Sequence, residues 1–137
     1  MKKILIPGLV VGLLILIVGM VVGQIFTIIS PSLEIEYENA NLFRPWSDPL
    51  MSIYFAYPFI LGIVLAWIWD KTKVLIEESN LWKRGTYFGF AYWLVTIPGM
   101  IITYSSFPVS LLMVISWSIS VLLQAVCAGI IYARLNK

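Results

Sequence analysis

The sequence predicts an all-α membrane protein: a four-transmembrane-helix bundle with a partly structured outer loop between its first two helices. The first observation is composition, because 61% of the 137 residues are hydrophobic and only 12% are charged, whereas soluble domains carry about 25% charged residues. The second is a set of four apolar runs, each long enough to cross a bilayer as a helix of about 20 residues. The third is an uneven distribution of lysine and arginine between the loops, which predicts the orientation.

The predicted spans are four runs without charged side chains, at about 4–29, 50–69, 85–104 and 111–133. Bilayer hydrocarbon offers no partners to backbone amides, so each run must form a helix or part of a closed barrel. The runs lack the two-residue alternation of barrel strands, and helices are therefore predicted. A single integral domain, 1–137, then contains an outer loop, an inner loop and a short outer turn, at 30–49, 70–84 and 105–110.

The amino terminus resembles a secretory signal because Lys2 and Lys3 precede an apolar run. A signal core has only about 7–15 apolar residues, whereas this run reaches Ile29 without a cleavage site, which predicts an uncleaved first helix. Eight of the nine basic residues lie at the chain ends or in the 70–84 loop, and Arg44 is the exception. The positive-inside rule then predicts a multi-pass protein of the cell membrane with both termini in the cytoplasm.

Several chemistries lack the residues that they need. Histidine is absent and Cys127 is the single cysteine, so the chain offers no imidazole base and no cysteine pair for redox chemistry. We therefore expect no catalytic residue, no metal site and no cofactor, and the prediction leans away from an enzyme. The net charge of +2 is small and dispersed, so nucleic acid is not an expected partner.

Small residues on two spans predict helix packing. The glycines of the first span fall on one narrow stripe, since a helix turns by about 100° per residue. Such stripes let helix backbones approach closely in lipid, so this one predicts contact with another helix of the bundle or, alternatively, a dimer interface. The last span carries a second small-residue face. The packing residues are Gly8, Gly12, Gly19 and Gly23 in the first span, and Ala125 and Gly129 in the last.

Polar residues and prolines inside the spans leave two interpretations open. Gln24 and Gln124 are amides that need partners, and Pro58 and Pro98 kink the outer halves of their helices by removing a hydrogen bond. They are either packing features within the bundle or the lining of an outward-facing polar cavity. The two glutamines lie at different depths, so we do not expect them to pair directly. Beyond the two prolines, no matched features indicate an internal repeat.

The outer loop is chemically the richest segment. Residues 33–38 alternate between apolar and acidic side chains, which predicts a strand over the outer helix ends. Its three carboxylates form a solvated face or, alternatively, an oxygen site for a divalent cation. Asp48 followed by Pro49 predicts the capped start of a helix. Arg44, with Trp46 between it and Asp48, is either the ion-pair partner of this cap or a receptor for a carboxylate or lipid phosphate.

These patterns predict a class of protein rather than an activity. The leading hypothesis is a small noncatalytic four-span membrane protein that acts through helix–helix or lipid contacts, for example as an accessory subunit of a membrane complex. The first alternative is a small carrier or lipid-binding protein with an outward-facing cavity, and the second is a membrane-embedded enzyme. The expected partners are the lipid bilayer and either another membrane protein or further copies of this chain.

Overall fold

The computed structural model describes residues 2–136. Within that range the chain is helical and contains no strand, and four helices are long and apolar enough to cross a membrane, so the predicted all-helical class is confirmed. Single turns of 3₁₀ helix extend the third helix at both ends, at Pro49–Met51 and Lys73–Leu75. The helices are α1 (Lys2–Ile29), α2 (Ser32–Tyr37), α3 (Ser52–Thr72), α4 (Leu81–Ser106) and α5 (Leu111–Leu135).

The strand predicted for residues 33–38 is wrong, because this segment forms α2. Alternation over six residues also satisfies a helix, in which Leu33 and Tyr37 share a face as residues i and i+4. Leu33 is buried against the start of α5, whereas Ile35 between them is exposed. The helix also separates the acidic residues, since side chains two positions apart point in nearly opposite directions.

Capping residues explain where the long helices begin. The Asn80 side chain accepts hydrogen bonds from the backbone N–H groups of Trp82 and Lys83, and α4 therefore begins at Leu81, before the predicted boundary. The Ser110 hydroxyl accepts from the backbone N–H of Met113 at the start of α5. Such caps satisfy backbone donors that have no partner within the helix.

Neighbouring helices follow the order α3, α1, α5, α4 across the bundle. We call the side where α1 packs on α5 the α1/α5 edge. Within residues 2–136 the backbones of α3 and α4 hardly approach each other, so the α3/α4 edge is not closed by helix packing. The Asn136 amide donates to the carbonyl oxygen of Lys3, which defines a terminal end of the bundle. The opposite end, which carries α2 and residues 38–48, is the loop end.

Aromatic side chains fill the core near the terminal end. Trp69 of α3 meets Phe88 of α4 edge-on, with ring centroids 5.2 Å apart, and both rings contact Tyr132 of α5. Trp69 and Tyr132 are fully buried. This cluster brings side chains of α3 and α4 into contact near the terminal end.

Two helix pairs cross at glycines. In the first pair, a Cβ placed on Gly62 of α3 would lie 2.7 Å from the backbone nitrogen of Gly12 and would also collide with the carbonyl of Gly8. In the second pair, a Cβ placed on Gly129 of α5 would lie 3.2 Å from the backbone nitrogen of Gly89 and would collide with the carbonyl of Gly85. Only glycine permits backbones to pass so closely.

The two crossings share one register. Gly8 lies against the backbone of Ile63, the residue after Gly62, and Gly85 lies against the backbone of Ile130, the residue after Gly129. The α1/α3 and α4/α5 pairs are therefore pseudo-equivalent helical hairpins. The sequence indicated no internal repeat, but the two glycine crossings show that the packing of the helices does repeat. The sequence conceals this repeat because glycines are almost all that the two hairpins share.

Candidate functional site at the open edge of the bundle

A cleft of about 70 Å³ lies in the half of the bundle nearer the loop end. Its walls come from α1, α3 and α5, and α4 contributes none of them. Because these three helices are neighbours in the order α3, α1, α5, the cleft between them faces α4 across the open α3/α4 edge. The lining residues are Ile15, Leu16, Gly19, Tyr54, Tyr57, Pro58 and Gln124.

The cleft contains hydrogen-bonding groups that the described chain does not use. Gln124 lines the cleft, and its amide nitrogen donates to the Ser120 hydroxyl over 3.1 Å, whereas its carbonyl oxygen has no protein partner within residues 2–136. Within residues 2–136 the Tyr57 hydroxyl makes no hydrogen bond to protein, and 54% of this side chain is exposed. Polar groups that leave water normally find partners, so these two atoms mark the cleft as a place for a ligand or water.

Only some of the residues that the sequence suggested for a polar cavity lie in the cleft. Gln124 and Pro58 line the cleft, and Gly19 forms its floor. Gln24 is exposed on α1, and Pro98 is exposed on α4. The glutamines do not meet, and only one of the two prolines contributes to the cleft.

The glycines of the first span do not all contact the same helix. Gly8 and Gly12 pack on α3, whereas Gly19 faces α5, where an added Cβ would lie 2.6 Å from the Gln124 amide nitrogen. Gly23 faces open space. On α5, Ala125 and Gly129 lie against the glycines of α4. Sequence reasoning missed Gly62, Gly85 and Gly89, although the last two have the same four-residue spacing as Gly8 and Gly12.

Arg44 and Asp48 lie together at the loop end. One Asp48 oxygen accepts from the Leu50 backbone N–H over 2.9 Å, and the other accepts from the Arg44 guanidinium over 2.8 Å. The Leu50 hydrogen bond and then the Arg44 hydrogen bond hold the pKa of Asp48 below its ordinary value of 3.8. Trp46 is 69% exposed and packs edge-on against Tyr54, with centroids 5.6 Å apart, so it rests on the first turn of α3.

A second pocket, of about 190 Å³, lies at the loop end. The Trp117 indole donates to the Tyr37 hydroxyl over 2.6 Å, and the Glu36 carboxylate accepts from the Ser110 backbone N–H over 2.6 Å. These bonds fasten α2 to the start of α5, and burial raises the pKa of Tyr37. Three separated stretches of the chain build this pocket, at 42–43, 103–109 and Trp117, and sequence reasoning missed it. Its lining residues are Leu42, Phe43, Thr103, Phe107, Val109 and Trp117.

Polar contacts at the terminal end hold the bundle together there. The Trp69 indole donates to the Asn136 carbonyl over 2.8 Å, and the Asn136 side-chain amide donates to Asp70 over 3.0 Å. The Tyr132 hydroxyl donates to the carbonyl oxygen of Gly62 over 2.6 Å. These bonds connect α3 to α5 and to Asn136 just after it, on the same end of the bundle where Trp69 of α3 meets Phe88 of α4.

No protein-family model, curated protein or solved structure matches this chain. The fold therefore defines the class: an all-helical protein with four helices compatible with a transmembrane bundle. Its function has to be argued from the geometry of the open edge and the two pockets.

Proposed function

We propose that this is a noncatalytic multi-pass membrane protein that acts through lateral contacts in the bilayer, with a lipid or with a helix of a partner complex. The observation that carries the proposal is the open α3/α4 edge. Three of the four pairs of neighbouring helices pack closely along their lengths. The fourth pair, α3 and α4, does not, and Tyr54 and Tyr57 of α3 are exposed. A lipid or a partner helix could complete this edge.

The exposed apolar surface supports membrane insertion. Side chains in the middle of the helices, such as Ile17 of α1 and Val95 of α4, are largely exposed. Trp46 near the loop end and Trp82 near the terminal end are also exposed, and tryptophan favours the headgroup level of membranes. The basic residues support an orientation in the cell membrane with both termini cytoplasmic and residues 30–49 outside.

Cysteine labelling tests this topology. In a Cys127→Ala background, Asn41→Cys should react with an impermeant maleimide added to intact cells, whereas Ser79→Cys should react only after permeabilisation. The reverse pattern would overturn the orientation. Labelling of both cysteines in intact cells would overturn the four-span topology.

Photo-crosslinking tests the use of the edge. Val95 is 75% exposed and lies seven residues after Phe88, on the face of α4 that meets Trp69 of α3. A photoreactive amino acid at Val95 should give one discrete lipid or protein adduct in native membranes. The matched control is the same amino acid at Ile17, an exposed position on α1, which should give only diffuse lipid labelling. Identical adducts at the two positions would show that the α3/α4 edge has no selective contact.

The loop-end pocket supports a second function, that of a lipid-binding or carrier protein with an outward-facing cavity. Its volume of about 190 Å³ exceeds that of the ~150 Å³ apolar cavity that holds benzene. Phe43 lines the pocket and Arg44 follows it, so a lipid phosphate could meet the guanidinium while an apolar chain enters the pocket. This function predicts that Phe43→Ala and Arg44→Ala each deplete an anionic lipid that copurifies after gentle extraction. Unchanged lipid in both variants would exclude it.

A further inference from the structure

We propose that the cleft behind the α3/α4 edge binds a neutral membrane amphiphile. Its uncharged hydroxyl or carbonyl group hydrogen-bonds to Tyr57 and Gln124, and its apolar chain leaves the bundle between α3 and α4. The proposal rests on the membrane insertion proposed above, and it names the ligand class that the open edge takes.

Hydrogen-bonding capacity identifies the group that is bound. The Tyr57 hydroxyl can donate, and the Gln124 carbonyl oxygen can accept. Neither atom has a protein partner within residues 2–136. In hydrocarbon an unsatisfied polar group is costly, so a ligand that supplies both partners is stabilised. A hydroxyl group can serve both Tyr57 and Gln124, and a carbonyl group can serve Tyr57.

Charge excludes the common ionic headgroups. None of the seven lining residues has an ionised side chain near neutral pH. A phosphate or ammonium group in this cleft would therefore lose its water without gaining a counter-charge, which is strongly unfavourable. The ligand group must be neutral.

Size and depth restrict the group further. The cleft of about 70 Å³ holds a hydroxyl or carbonyl with adjoining methylenes, since a cavity needs only about 10–15 Å³ to hold one water. Tyr57 lies eight residues after Pro49, or roughly 12 Å along the helix at 1.5 Å per residue. This depth is below the phosphates of a bilayer and suits fatty alcohols and diacylglycerols.

Photolabelling of the full chain in phosphatidylcholine vesicles tests the proposal. The probe is a diacylglycerol with a diazirine on one acyl chain. We expect saturable labelling of α3 or α4 that unlabelled dioleoylglycerol displaces. A Tyr57→Phe/Gln124→Leu double variant should lower the labelling about tenfold, because two hydrogen bonds are lost. Tyr87→Phe, an exposed tyrosine outside the cleft, is the matched control and should label like the parent protein.

Displacement in the parent protein keeps the test independent of variant folding. Labelling that dioleoylglycerol does not displace, or that the folded double variant retains in full, would overturn the proposal and leave the cleft to water. Stronger displacement by a phosphatidic acid than by dioleoylglycerol would overturn the neutral ligand class. The Asn41 and Ser79 labelling is a separate readout, so a protein that spans the membrane but fails here loses only this inference.

Discussion

The hairpins meet at two edges, α1/α5 and α3/α4, whose backbone positions are equivalent. Helix packing closes the α1/α5 edge and leaves the α3/α4 edge open. Gly19 lies seven residues after Gly12 on α1, and Thr96 lies seven residues after Gly89 on α4. At the α1/α5 edge, Gly19 leaves room for the side chain of Gln124. At the α3/α4 edge, the positions corresponding to Gly19 and Gln124 hold Thr96 and Tyr57. Thr96 and Tyr57 are both larger than the residues at the corresponding α1/α5 positions.

The same contrast occurs near the terminal end. Counting from the crossing glycines, Val11 of α1 corresponds to Phe88 of α4, and Asn136 corresponds to Trp69 of α3. At the α3/α4 edge the two large rings meet with centroids 5.2 Å apart, so side chains rather than backbones make the contact. At the α1/α5 edge, smaller side chains occupy both positions. The two edges therefore differ in side-chain size at equivalent positions, with the larger residues on the open edge.

The largest expected effect tests whether the hairpins are equivalent. Gly12→Leu and Gly89→Leu should both prevent their crossing and destabilise the fold by about 3 kcal/mol or more, because overpacking displaces backbone. Gly23→Leu, where an added Cβ meets no atom within 4 Å, is the control and should melt like the parent protein. The measurement is thermal unfolding in detergent, followed by circular dichroism. A Gly89→Leu protein with parental stability would refute the equivalence.

Composition and pattern predicted the four long helices because each is a continuous apolar run. They could not predict which edge is open, since that depends on the sizes of side chains from helices far apart in the chain. Tyr57 and Gln124 illustrate the difficulty: each alone resembles an interfacial or packing residue. The contacts of Asp48 are within the range of local reasoning, since its partners lie two and four residues away. The short α2 was missed because six residues do not distinguish a period of 2 from one of 3.6.

The second effect concerns the terminal part of the α3/α4 edge. Trp69→Ala should cost about 3–5 kcal/mol, because it removes a fully buried ring and leaves a cavity. Asn136→Ala, the change at the corresponding position just after α5, should cost less, about 1–3 kcal/mol from unpaired polar groups. Chemical denaturation in mixed micelles compares the two variants. A greater loss in Asn136→Ala would mean that hydrogen bonds rather than ring packing hold this end.

A smaller effect is expected from the hydrogen bond that joins the hairpins. Tyr132→Phe keeps the ring in the aromatic cluster but removes the donor to the Gly62 carbonyl. We expect a loss of about 1 kcal/mol, the usual net contribution of one hydrogen bond. Phe88→Tyr is not a suitable control because it adds a buried hydroxyl, so Tyr87→Phe, on an exposed face, serves instead. Equal melting temperatures for both tyrosine variants would show that the Gly62 contact contributes nothing.

The smallest expected effect is a difference in pH dependence between the starts of α3 and α5, the second long helices of the two hairpins. Asp48 caps the 3₁₀ turn that leads into α3 and titrates, whereas Ser110 caps α5 and does not. The pKa of Asp48 is lowered in the folded protein. Its contribution to stability is therefore fully present above its ordinary pKa of about 4 and is lost as the pH falls through the lower, folded value. Acidification should weaken the start of α3 and leave the start of α5 unchanged.

Hydrogen exchange measures both helix starts in one experiment. Protection of the Leu50 amide should decrease below about pH 4, relative to the Met113 amide, and Asp48→Asn should remove this pH dependence because an amide cap does not titrate in that range. Arg44→Ala should raise the pH of the change only in part, since the Leu50 hydrogen bond lowers the pKa more than Arg44 does. The effect should be small because the pair is exposed to solvent and salt. If Arg44→Ala abolished the pH dependence entirely, the ion pair rather than the cap would be the main cause of the lowered pKa. The start of α3 would then depend on Arg44, whose guanidinium can bind a lipid phosphate in place of the Asp48 carboxylate.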